Sequence, residues 1–237
     1  MDDTTRHSFW GRVIDAILPR ACIHCDHRLS LEEQVLCSSC LMQLPRTDYA
    51  KNPQNNPMAQ RLWGRLPVER AAALMFYSAG NNFDDIVHRM KYSYRPEIGV
   101  YIGHLIAGEM APDGFFEDID LLVPVPLTKE REKERGYNQS MQIALGVSEA
   151  TGIAVTEALV KRVKYSGSQT KKNAWERQEN VENAFALADD VHVEGKHILL
   201  IDDVLTTGAT IVNCGKPLTA LSDVKLSVLT IGFTEDV

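Results

Sequence analysis

Apolar residues recur along this chain with two periods, and the switching between them predicts the elements. In residues 8–18, SFWGRVIDAIL, Phe9, Val13, Ile14, Ile17 and Leu18 fall at helical spacing. They predict a short amphipathic helix that packs on the protein itself, because its flanks lack the Lys/Arg face an anionic membrane would attract. The stretch TDYAKNPQNNPMAQRLWG is polar, is broken by Pro53 and Pro57, and reads as a linker over 47–68. Beyond it AAALMFYS predicts a strand. Phe83, Ile86, Val87 and Met90 then share one helix face, and IGVYIGHLIAGEM predicts a second helix. IDLLVPVPL is a short apolar run ending in prolines, as for a strand leaving a sheet. A helix is expected over 139–150, with short strands at IAV, LVKRV, AFALA and HILLID and a last one at VKLSVLTIGF. HILLI is apolar without alternation, which marks a parallel sheet covered on both faces. Strands alternate with helices, so the fold class is α/β around a parallel sheet.

Length and composition narrow this picture only slightly. The 237 residues, 44% hydrophobic and 24% charged, suit one large domain or one domain plus a small module. The expected division is 1–46 for an N-terminal helix and cysteine module, 47–68 for the linker, and 69–237 for the main domain. No apolar run approaches the about 20 residues of a membrane span, and the acidic start, Asp2 and Asp3, is unlike a secretory signal. A cytoplasmic protein is expected. A net charge of -7 argues against generic coating of nucleic acid or anionic lipid. One stretch runs the other way: Lys161, Arg162, Lys164, Lys171, Lys172 and Arg177 face the single acid Glu176.

Cys22, Cys25, Cys37 and Cys40 form two CxxC pairs eleven residues apart, while Cys214 stands alone. In a cytosolic chain this clustering favours metal over disulfides, and four thiolates suit tetrahedral Zn2+ in a structural site. A module this small has little core, so metal would supply its folding energy. His24 and His27 lie nearby, but four cysteines already complete the coordination. Cys214 is expected to be a small core residue.

The chemistry concentrates in LLIDDVLTTGAT, residues 199–210. In an open parallel sheet, ligands bind beyond the carboxyl ends of the strands, which is where Asp202 and Asp203 fall. The following TTGAT enters a helix, whose unpaired N–H groups and partial positive charge suit a phosphate. Gly208 lets backbone approach an anion, and the threonine hydroxyls add donors. The carboxylates would repel a phosphate and need hydroxyls or a cation. A ribose 5-phosphate satisfies both halves. Gly215 and Pro217 predict a kink or early stop in the helix beyond, since Pro inside a helix costs about 3 kcal/mol.

This stretch closely resembles the phosphoribosyl-pyrophosphate (PRPP) motif of type I phosphoribosyltransferases. The resemblance implies that Asp202 and Asp203 hold ribose hydroxyls and that Thr206, Thr207, Gly208, Ala209 and Thr210 wrap the 5′-phosphate, with Mg2+ accompanying PRPP. VPVPLTKEREKERGYNQS resembles the signature of ComF-type competence proteins, a branch of that fold, through Arg131, Arg135, Gly136, Tyr137, Asn138 and Gln139. HRMKYSY, centred on Lys91, and the stretch holding Gln169, Arg177, Asn180 and Phe185 resemble further segments of the same family. With the cysteines, the resemblance covers nearly the whole chain. It implies a type I phosphoribosyltransferase fold preceded by a four-cysteine zinc module, and a role in DNA uptake or in using DNA as a nutrient. Single-stranded DNA and competence or recombination proteins would be partners.

Read physically, Arg131 and Arg135 are four apart and would share one helix face, suiting a pyrophosphate or two backbone phosphates. KEREKER equally reads as a solvated, salt-bridged segment. Lys171, Lys172 and Arg177 suit a loop over the site, or an exposed face. The pyrophosphate or DNA-phosphate candidates are therefore Lys91, Arg131, Arg135, Asn138, Gln139, Lys171 and Arg177. An active phosphoribosyltransferase remains a separate expectation, with no segment naming its acceptor. A PRPP sensor without turnover is a third.

Overall fold

The computed structural model describes residues 20–78, 80, 83–163, 185–189 and 191–235. The helix expected at 8–18, and Lys164, Gln169, Lys171, Lys172, Arg177 and Asn180, lie outside them.

The centre is a five-stranded parallel sheet of β1 (Arg70–Phe76), β2 (Leu121–Pro124), β3 (Ala154–Val155), β6 (His197–Leu205) and β7 (Lys225–Phe233), in the order β1-β7-β6-β2-β3. β6 lies in the middle, and all but one of its residues are buried. The lack of alternation in HILLI thus has the expected cause: helices cover both faces. LVKRV and AFALA do not join this sheet. They supply β4 (Val160–Arg162) and β5 (Phe185–Leu187), which pair antiparallel as a separate ribbon. In β4, buried Val160 precedes exposed Lys161, the alternation of a half-solvated strand.

Seven α-helices are described: α1 (Ser38–Gln43), α2 (Pro57–Leu62), α3 (Asp84–Tyr92), α4 (Glu97–Met110), α5 (Lys129–Arg135), α6 (Gln139–Thr151) and α7 (Ala209–Thr219). α4 and α6 cross with their backbones in contact. A Cβ on Gly103 would lie 2.3 Å from the Ile143 carbonyl oxygen, and one on Gly146 would lie 2.1 Å from that of Val100. Any side chain at either position would push the helices apart.

The 47–68 segment, read above as a linker, is packed into the core. Asn56 caps α2 by accepting from the Ala59 N–H at 3.0 Å, and its amide donates to Ala71 of β1 at 2.8 Å. Met58, Ala59, Leu62 and Leu66 are buried. The polar residues that suggested a linker are cap and turn residues, and the apolar ones between them are too few to show a period. α7 also departs from expectation. It continues through Pro217 to Thr219, so the lost hydrogen bond falls in its final turn. Gly215 serves close packing, since a Cβ there would meet Leu66 and Leu226 at 2.8 Å. Cys214 is buried.

Candidate functional site

β6 delivers Asp202 and Asp203 to the carboxyl edge of the sheet, both nearly buried. The N-terminus of α6 holds them. Asn138 caps that helix, accepting from the Ser140 N–H at 3.0 Å. The next two side chains then reach the acids. Gln139 Nε2 donates to Asp203 Oδ2 at 2.8 Å, and the Ser140 hydroxyl donates to Asp202 Oδ1 at 3.0 Å. Lys91, near the end of α3, places Nζ 2.9 Å from Asp203 Oδ2. Burial, and then the neighbouring Asp203 charge, push the Asp202 carboxyl up to about 7. The Gln139 Oε1 is buried without a partner, an acceptor still available beside the acids.

Beyond β6 the chain turns at Thr206 and Thr207, both exposed, into Gly208 at φ 77° and then α7. The N-cap residue Gly208 has no side chain to cap this helix, and the Ala209 N–H donates over a long 3.4 Å to the Thr207 hydroxyl beside it, so the turn gathers donors of the kind an anion site uses. The turn is gripped from behind. Arg61 Nη1 donates to the Thr206 carbonyl at 2.8 Å, and Arg65 Nη1 donates to that of Thr207 at 2.6 Å. Leu62 lies 3.2 Å from where a Gly208 Cβ would be. With their carbonyls held on the α2 side, the peptide groups of the turn keep a fixed orientation. Neither arginine was legible in the sequence, because both lie in the segment read as a linker. Ser140 follows directly on GYNQ, and its position after a capping Asn was the available signal.

Arg131 and Arg135 do not act as a matched pair. Arg131 is exposed on α5, whereas Arg135 is turned inward, its guanidinium 5.6 Å from the centroid of the Tyr92 ring. Between β4 and the turn after β2 opens a cavity of about 790 Å³, lined by Leu127, Thr128, Glu132, Glu157 and Arg162 among others. Arg162 lies over Phe185 of β5 at 4.9 Å.

The four cysteines of the CxxC pairs converge, with all four sulfurs within 4.8 Å of one another. Cys25 and Cys37 Sγ are 3.7 Å apart. Sulfurs at tetrahedral corners, with metal–sulfur bonds of about 2.3 Å, stand about 3.8 Å apart, so the donor set fits zinc. Burial opposes the Cys22 thiolate, but N–H donation from Cys25, Cys37 and His24 outweighs it and brings that thiol to about 7. Glu33 braces the knuckle by accepting from the Ser30 and Ser38 N–H groups at 2.8 and 2.6 Å. The knuckle docks on α3. His24 Nδ1 is 3.0 Å from Asp85 and its ring stacks on Phe83 at 4.2 Å, while Arg89 pairs with Asp26 at 2.9 Å. His27 is exposed.

Fold and site together define a parallel-sheet α/β protein carrying a four-thiol knuckle and a buried acid pair before a glycine turn. No family model matches the chain. It is 27% identical over 204 residues to the DNA utilization protein YhgH of Salmonella typhi, covering 82% of this chain and 88% of the relative. It is 28% identical over 216 residues to competence protein F of Haemophilus influenzae, covering 87% and 94%. Its relatives are thus named for DNA utilization and competence, as the ComF-type resemblance implied. Among solved structures it is similar to a glutamine PRPP amidotransferase from B. subtilis, with TM-score 0.40 and 22% identity, over 60% of this chain and 30% of that one. Among the described residues no helix is long and apolar enough to cross a membrane.

Proposed function

We propose that this protein binds a ribose 5-phosphate of the PRPP type and acts in DNA uptake or in the use of DNA as a nutrient. One observation carries the binding reading: two nearly buried carboxylates, each fixed by a donor from α6, shortly precede a glycine turn into the N-terminus of α7. Asp202 and Asp203 would hold the sugar hydroxyls. The turn from Thr206 to Thr210, with Gly208 and Ala209 at its centre, would wrap the phosphate. Mg2+ would accompany PRPP, and zinc in the knuckle would be structural. The relatives' names support the DNA role. Single-stranded DNA and competence or recombination proteins are its proposed partners.

The test is calorimetric titration of PRPP with Mg2+ into zinc-loaded protein, wild type beside the Asp202→Asn/Asp203→Asn double variant. Binding to wild type that vanishes in the variant supports the site. No binding to wild type overturns it.

A second reading is an active phosphoribosyltransferase that moves ribose 5-phosphate from PRPP to an acceptor. The cavity under β4 favours it: its lining includes Asn138, the residue before the two α6 donors, and it has the size of a small-molecule site. Pyrophosphate release with any nucleobase or amine would support transfer.

A further inference from the structure

α3 and α5 end beside each other. Tyr92 closes α3 and Tyr94 lies two residues on, and the two residues are 46% and 68% exposed. Such exposure is unusual for two neighbouring large rings, and neither ring is loose. Tyr94 adopts φ 54°, a left-handed conformation rare for a residue with a bulky side chain. Its ring lies against Gly136, 3.3 Å from where a Cβ would be, and its hydroxyl donates to the Glu134 carbonyl at 2.9 Å. Tyr92 stands beside His88, ring centroids 4.9 Å apart. The Tyr137 hydroxyl donates to the Met90 carbonyl and pins the end of α3. The rings are therefore held in place with surface still open to solvent.

Arg135 lies behind them. It is 7% exposed, and its Nε and Nη1 have no hydrogen-bond partner. The carbonyls it could have used near the end of α5 are taken, that of Glu132 by the Gly136 N–H and that of Glu134 by Tyr94. The guanidinium thus keeps a positive charge just beneath the surface, 5.6 Å from the centroid of the Tyr92 ring. That charge draws an anion to the surface above it.

We infer that Tyr92, Tyr94 and Arg135 form a binding site for an unpaired nucleotide, with the base on the tyrosine rings and its phosphate drawn to Arg135. Stacking on fixed aromatic rings combined with a cation for the backbone is how sequence-tolerant single-strand binding is built. Lys91, one residue before Tyr92, reaches Asp203, so this shelf adjoins the acid pair. The inference rests on the DNA-handling reading above and gives it a surface. That surface differs from the Lys161–Arg177 stretch to which the sequence pointed.

The experiment is fluorescence anisotropy of a labelled oligo(dT) strand with the zinc-loaded full chain. Wild type is compared with Tyr92→Ala, Tyr94→Ala, their Phe counterparts and Arg135→Gln, and dTMP serves as competitor. Each Ala substitution should weaken binding roughly tenfold while Phe retains it, because the ring face and not the hydroxyl does the stacking. Arg135→Gln should weaken binding and flatten its salt dependence. If dTMP competes with wild type but not with the Ala variants, the shelf takes a single nucleotide. If dTMP does not compete, it takes the strand. Wild type that binds the strand with Ala variants binding equally well overturns the shelf and leaves the DNA reading standing. Wild type that binds no strand overturns both, while the ribose-phosphate site is judged by its own titration.

Discussion

Lys91 Nζ lies 2.9 Å from Asp203 Oδ2, with the two side chains only 20% and 12% exposed. Lys91 pairs directly with Asp203 and its charge also favours the ionised form of Asp202, so α3 contributes directly to the acid site. Lys91→Met leaves the acids with no paired cation among the described residues. Breaking a largely buried pair from one side is destabilising, by about 1–3 kcal/mol after allowance for residual solvent. The loss, measured by urea unfolding, should be greater at pH 8 than at pH 5, where the acid pair holds a proton.

Asp202 sets a pH dependence of its own. Its folded-state pKa is raised from 3.8 to about 7, so the folded chain binds this proton more tightly than the unfolded chain. The resulting stability is fully present below about 3.8 and is lost as pH rises through about 7. Asp202→Asn removes this titration. The difference in Tm between variant and wild type should therefore shift in the variant's favour between pH 5 and pH 8. A pH-independent difference would mean that Asp202 is ionised throughout.

Arg65 touches no proposed ligand, yet it holds the Thr207 carbonyl at 2.6 Å. Arg65→Ala should weaken ribose 5-phosphate binding roughly fivefold, the scale of about 1 kcal/mol for one hydrogen bond, through a looser turn. Calorimetry gives the affinity, and an unchanged value would show that the turn holds its shape without this contact.

Zinc removal should be felt well beyond the knuckle. Ile23, Leu29 and Leu36 belong to the main core, and the knuckle docks on α3 through His24 and Asp26. A strong chelator should release about one zinc per chain and lower Tm by roughly 5–10 °C. Cys22→Ser should do the same without chelator. Retention of full stability after chelation would mean that packing alone holds the knuckle.

The sequence disclosed the parts whose chemistry is local. A nonalternating HILLI, a DD at its end and a glycine turn lie within one short stretch, and two CxxC pairs define their own geometry. What it concealed depends on contacts between distant segments. Arg61 and Arg65 reach the turn across more than 140 positions of chain, from a segment too polar and too short in apolar period to advertise a helix. Ser140 and Gln139 meet their acids only because α6 packs beside β6. Arg131 and Arg135 show the opposite limit. Their spacing is helical as read, but α5 ends at Arg135, and Tyr92, from a different helix, lies against its guanidinium.

The crossing of α4 over α6 restricts which parts of the molecule can rearrange when a ligand arrives. At Gly103 and Gly146 the two backbones interlock so tightly that neither helix can slide or roll past the other without collision. The α6 end that grips Asp202 and Asp203 is thus anchored to a close-packed axle, which holds the acids in place ahead of any ligand. The β4–β5 ribbon pairs outside the sheet, so it is not tied to this axle through strand hydrogen bonds.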